Sequence, residues 1–138
     1  MKEIILKFPR ELEYLNIATN LASLITHKLE TKNVNLSNDV ELAVSEACTN
    51  AIKHAKNTNR DDTLILSFKI LPDKLLISLK DKGQGFEINS IPDPDFDEIP
   101  DHGYGIYILK RIMDKISYEI DDDGYYTLFM EKRIPKHL

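Results

Sequence analysis

Thr63-Leu64-Ile65-Leu66-Ser67-Phe68-Lys69-Ile70-Leu71-Pro72-Asp73-Lys74-Leu75-Leu76-Ile77-Ser78-Leu79-Lys80-Asp81 is two alternating stretches hinged on Pro72-Asp73. Leu64, Leu66, Phe68 and Ile70 fall on one side, and Leu75, Ile77 and Leu79 repeat the pattern. A period of two on both sides of a proline turn predicts a hairpin with one apolar face. That face needs a cover, and the flanking sequence supplies helices. Upstream, residues 3–8 alternate loosely and read as an edge strand closed by Pro9. From Glu11 to about Thr31, Leu12, Leu15, Ala18, Ala22, Leu24 (or Ile25) and Leu29 recur at helical spacing. Ser37 is expected to cap a second helix running to about Ala55, with Asp39 and Glu41 in its first turn. Downstream, a third helix opens at Gly103–Gly105 and carries Ile106, Leu109, Ile112 and Met113 on one face. Two last strands, about 116–121 and 125–133, turn through Asp121-Asp122-Asp123-Gly124.

The expected order is β-α-α-β-β-α-β-β. It predicts an α+β two-layer sandwich, an antiparallel-rich mixed sheet with its helices on one face. It is not the alternating βαβ of a dinucleotide fold, and no G-x-x-x-x-G-K-[ST] loop occurs. With 138 residues, 42% hydrophobic and 30% charged, the chain reads as a single domain, 1–138. No apolar run approaches the roughly 18 residues of a membrane helix, and Met1–Lys7 does not read as a signal peptide. The single cysteine, Cys48, cannot form an internal disulfide or a thiolate metal cluster, which suits a reducing cytoplasm. A net charge of −5 argues against direct nucleic-acid binding.

On the second helix, Val40, Val44, Ala47, Cys48, Ala51 and Ala55 fill one arc. Glu46, Asn50 and His54 form an i, i+4, i+8 stripe along its border, with Lys53 beside Glu46. The Asn50 carbonyl is a hard oxygen ligand of the kind magnesium takes, and magnesium also leans on substrate phosphates, so one protein ligand suffices. Glu46 is then free to act as a general base. Asp81 ends an apolar strand just before Gly83 and Gly85. A carboxylate there can accept a hydrogen bond from an exocyclic amine, and the glycines let the backbone approach a flat ring. Gly103-Tyr104-Gly105 opens a helix whose free amides suit phosphate oxygens. Between the two glycine pairs, residues 87–102 lose periodicity and hold Pro92, Pro94 and Pro100 among six carboxylates. Such a stretch reads as a lid or binding loop.

Each of these signals is common alone; their order and spacing are not. Glu46-Ala47-Cys48-Thr49-Asn50-Ala51-Ile52-Lys53-His54-Ala55 resembles the N box of the GHKL ATPase/kinase superfamily. Asp81-Lys82-Gly83-Gln84-Gly85-Phe86 resembles its first glycine box, and His102-Gly103-Tyr104-Gly105-Ile106-Tyr107-Ile108-Leu109 its second. Within it the chain is most similar to bacterial anti-sigma-factor serine/threonine kinases. The resemblance implies ATP and Mg2+ as cofactors, Asp81 on the adenine amine with Thr127 supporting it through water, and Asn50 on magnesium. It implies Lys53 on phosphate, Gly83, Gly85, Gly103 and Gly105 shaping the pocket and lid hinge, with His102 and Tyr104 beside them, and Glu46 as the base acting on a seryl hydroxyl. It also implies a homodimer whose partners are a sigma factor and an anti-anti-sigma (STAS-type) protein.

One departure matters. Many such kinases carry an arginine before the second glycine box, whereas here no lysine or arginine lies between Lys82 and Lys110. Phosphoryl transfer leans on positive charge at the migrating group. Lys53, His102 or a partner's arginine could substitute. The alternative readings are an ATP-holding partner switch with little or no phosphotransfer and a histidine-kinase-type catalytic domain.

Overall fold

A computed structural model describes residues 1–29, 31, 33–53, 63–81, 104–122 and 124–135. Its elements are β1 (Lys2–Pro9), a 3-10 turn (Leu12–Tyr14), α1 (Leu15–His27), α2 (Leu36–Lys53), β2 (Thr63–Ile70), β3 (Lys74–Asp81), α3 (Tyr104–Ile112), β4 (Lys115–Ile120) and β5 (Tyr126–Arg133). The expected lid, 87–102, lies outside the described residues.

The strands form one five-stranded sheet in the order β1-β2-β3-β5-β4, with β1 at an edge. All four pairings are antiparallel, so the expected mixed sheet narrows to a purely antiparallel one among the described residues. Leu64, Leu66 and Phe68 of β2, Leu75, Ile77 and Leu79 of β3, and Leu128 and Met130 of β5 are buried. They join Ala18, Ala22 and Ile25 of α1, Val40, Val44 and Ala47 of α2, and Ile106 and Leu109 of α3 in one core. Small residues on the facing sides of α1 and α2 let the two helices pack closely.

The helix ends differ from the sequence expectation. The first helical stretch divides into a 3-10 turn and α1, whose end is tightened by Lys28 N–H to Ile25 O (3.2 Å) and Leu29 N–H to Thr26 O (3.1 Å). The next helix opens at Leu36, with Asp39 N–H donating to Asn35 O at 2.9 Å. Ser37 therefore lies inside the first turn, where its hydroxyl donates to Glu41 Oε2 (3.2 Å) rather than capping the helix. Lys132, on the inner face of β5, donates to Ile112 O at the end of α3 and pairs with Asp39 of α2 at 3.4 Å. This lysine ties the sheet to both helices that carry the site.

Cys48 is fully buried on α2, and burial pushes its thiol up to about 12. The thiolate is the nucleophile, so the folded chain should react with iodoacetamide at pH 8 at least about a hundredfold more slowly than the chain in denaturant. Equal rates in the two states would put the thiol outside the core.

Candidate functional site

The site lies where α2, α3 and the ends of β3 and β5 converge. Glu46 and Asn50, one turn apart on α2, are half-buried, and α3 runs across them at Gly105. A methyl group built on Gly105 would stand 2.5 Å from Asn50 Nδ2, 2.9 Å from Glu46 Oε2 and 3.1 Å from Asn50 Oδ1. Glycine is therefore needed here for space, because both polar side chains occupy the volume a Cβ would take. The same contact brings Glu46 and Asn50 of α2 against the first turn of α3.

Asp81, the last residue of β3, is buried. It lines a small cavity, of about 10 Å³, with Asn50, Ala51, Leu79, Ile106, Tyr118 and Leu128. The walls are largely apolar, with the Asp81 carboxylate, the Asn50 amide and the Tyr118 phenol set among them. Arg10, directly after Pro9, reaches the same carboxylate: its guanidinium donates to Asp81 Oδ1 at 3.3 Å and to Ala51 O at 3.0 Å. The two side chains are 3% and 7% exposed, so this is a buried ion pair. Sequence reasoning missed it. The available signal was the rule that a buried carboxylate requires a positive or donating partner.

Thr127 requires a correction. The register pairs Thr127 with Lys80, and Asp81 with Tyr126. Leu128 and Met130 point into the core, whereas Phe129 is 40% exposed. By strand alternation Thr127 therefore faces the opposite side of the sheet from Asp81. The neighbour of Asp81 on β5 is Tyr126, whose ring lies 6.1 Å from that of Tyr118 of β4.

Lys53 ends α2 and is exposed. Tyr104 is the first residue of α3, which places free helix-start amides beside Gly105. Gly83, Gly85, His102 and Gly103 lie outside the described residues. No group of three or more His, Cys, Asp or Glu side chains that could hold a metal occurs among the described residues. A resident metal cage is thus not what these residues build, but a lone Asn50 oxygen beside helix-start amides fits a cation that arrives with phosphates. A wider cavity of about 510 Å³ opens on the outer face of the sheet, lined by Leu76, Ser78, Ser117 and Phe129 with Lys69, Lys115 and Glu131 at its rim. Its rim carries Glu131 between two lysines, and neither Glu46 nor Asn50 lines it.

A family profile described as "Histidine kinase-like ATPase domain" matches residues 8–132. The chain belongs to this family of ATP-using domains. Its similarity runs to kinases in particular: the serine-protein kinase RsbW of Bacillus licheniformis is 30% identical over 124 residues, covering 84% of this chain and 77% of that protein. The protein of the same name from Staphylococcus aureus is 33% identical over 107 residues, 71% of this chain and 66% of its own length. Among solved structures, the RsbU and RsbW domains of a Mycobacterium tuberculosis protein superpose with a TM-score of 0.71 at 11% identity, over 100% of this chain and 35% of that one. The SiaB–SiaC complex of Pseudomonas aeruginosa gives 0.66 at 13% identity, over 95% and 89%. At such identities the superpositions speak for the fold.

Gly105→Ala separates stability from function at this site. Alanine is favoured over glycine inside a helix, so the melting behaviour should stay within about 1 kcal/mol of the parent. The added methyl should displace Asn50 and Glu46, and ATP affinity should fall at least about tenfold. Unchanged affinity in calorimetry would show that these two side chains need not sit where they do.

Proposed function

We propose that residues 1–138 act as one ATP-dependent protein serine/threonine kinase unit of the anti-sigma type. It binds a sigma factor and phosphorylates a serine or threonine of an anti-anti-sigma, STAS-type partner. The observation that carries this reading is the packing of Glu46 and Asn50 together against Gly105, in the cleft that Asn50 shares with buried Asp81. Asp81 accepts the adenine amine. Asn50 holds Mg2+ through its side-chain carbonyl, and Lys53 at the helix end meets phosphate. Gly83, Gly85, Gly103 and Gly105, with His102 and Tyr104, shape the pocket and its lid.

Bound ATP with magnesium supplies an electrophilic phosphoryl group. The protein's own task is to orient the incoming hydroxyl and remove its proton. Glu46 does this: its carboxylate lies one helical turn from Asn50, so the proton acceptor and the cation ligand are fixed on one rigid element. The cation missing between Lys82 and Lys110 is not replaced by Arg10, whose guanidinium is turned to Asp81 at the base end of the cleft. This favours slow turnover, and it is the observation behind the second reading, an ATP-holding switch with little or no phosphotransfer. No described helix is long and apolar enough to cross a membrane, in keeping with the cytoplasmic site we assign. We also assign a homodimer. Exposed Ile5 and Phe129 lie in one cross-strand row with Ser67, Ser78 and Ser117 on the outer sheet face, and a second copy would cover it.

Glu46→Gln keeps size and hydrogen bonding but cannot take a proton. ATP affinity should hold while single-turnover transfer of labelled phosphate to the seryl partner falls by about 10²–10⁴-fold. Asn50→Ala should instead abolish the magnesium dependence of ATP binding. Equal transfer by parent and Glu46→Gln would remove the base role. No transfer by either, with ATP and sigma-factor binding intact, would establish the switch.

Sedimentation at tens of micromolar should give a dimer, and Phe129→Glu should give a monomer with unchanged ATP affinity. A monomeric parent would refute the assembly.

A further inference from the structure

Arg10 stands 71 residues from Asp81 in sequence, and the fold buries the two together. Pro9 fixes the backbone just before it at the end of β1. One nitrogen of the guanidinium donates to Ala51 O of α2 and another to Asp81 Oδ1 of β3. Ala51 is the neighbour of Asn50, so a single planar fork holds the carboxylate at a set distance from the helix that carries the other site residues. Most of the walls around Asp81, among them Leu79, Ile106 and Leu128, are apolar, with Asn50 and Tyr118 the polar exceptions. In such surroundings a carboxyl without a cation takes up a proton, and a protonated carboxyl presents a donor where an amine needs an acceptor.

We propose that Arg10 is a positioning residue for base selection. It keeps Asp81 ionised and aimed into the cleft, so that the site takes a purine carrying an exocyclic amine and discriminates against one that lacks it or presents a carbonyl there. The inference rests on the assignment of Asp81 to the adenine amine, and deepens it by naming the residue that makes Asp81 selective.

The test is a ratio. The affinities of the full chain for ATP and for purine riboside triphosphate, which lacks the amine, are measured by calorimetry with magnesium. The parent should prefer ATP by about 10- to 150-fold, the worth of one hydrogen bond to a charged group. Arg10→Met should reduce the preference to below about threefold, and adding it to Asp81→Asn should change the ratio no further, because Arg10 acts through Asp81. Arg10→Lys keeps a cation beside the buried carboxylate and carries the test should Arg10→Met fail to fold. Lacking the fork, it cannot hold Ala51 O and Asp81 at once, and it should lower the ratio at least about threefold. If the Arg10 variants that fold keep the parent's ratio, whatever their absolute affinity, Arg10 is a structural strut and the proposal is overturned while the adenine site stands. If Asp81→Asn keeps the parent's ratio, the adenine assignment itself fails and takes the proposal with it.

Discussion

A carboxylate buried at the end of a strand is the constraint on which this molecule turns. Asp81 sits among apolar side chains, where a lone charge is strongly disfavoured. The fold answers with Arg10, the residue that directly follows β1. Removing one member of such a pair costs about 3–5 kcal/mol, because the survivor stays buried without its partner. Replacing both with apolar residues would often be harmless to stability. A charge kept here is therefore better explained by what the cleft must recognise than by what the core requires.

The second constraint is space. α3 crosses α2 where Gly105 has no side chain, and Glu46 and Asn50 fill the room. Lys132 holds the same two helices to β5 through Ile112 O and Asp39. The Asp81 end and the Glu46–Asn50 end of the cleft are thus fixed by different devices, an ion pair at one and a glycine contact at the other. Asn50 and Ala51, adjacent on α2, join them. In the function we propose, this division lets few polar residues read a base and place a proton acceptor.

Much of this was legible in the sequence because it rests on local periodicity. The hairpin at 63–81 declared its buried face through Leu64, Leu66, Phe68, Leu75, Ile77 and Leu79. The α2 stripe declared that Glu46 and Asn50 share a border; of the glycine pairs, Gly105 alone lies among the described residues, against those two side chains. What escaped depended on register between distant segments. Thr127 was placed near Asp81 by family resemblance, whereas counting back by twos from buried Met130 and Leu128 reaches Tyr126 and puts Thr127 on the other face. Arg10 falls between the strand closed by Pro9 and the helical stretch from Glu11, and carries no periodic signal of its own. Nothing within its own segment shows that β1 and β3 flank β2 and bring its guanidinium to Asp81. The start of α2 was misread by two residues because Ser37 is a favourable cap, yet Asn35 O already accepts the helical bond from Asp39.

The most direct measurement is a crystal structure of the chain with a non-hydrolysable ATP analogue and magnesium. The account predicts the adenine amine within hydrogen-bonding distance of Asp81, Arg10 still bridging Asp81 and Ala51 O, and the Asn50 carbonyl on the metal. A purine bound elsewhere, or an Arg10 side chain displaced from Asp81 by the base, would contradict it.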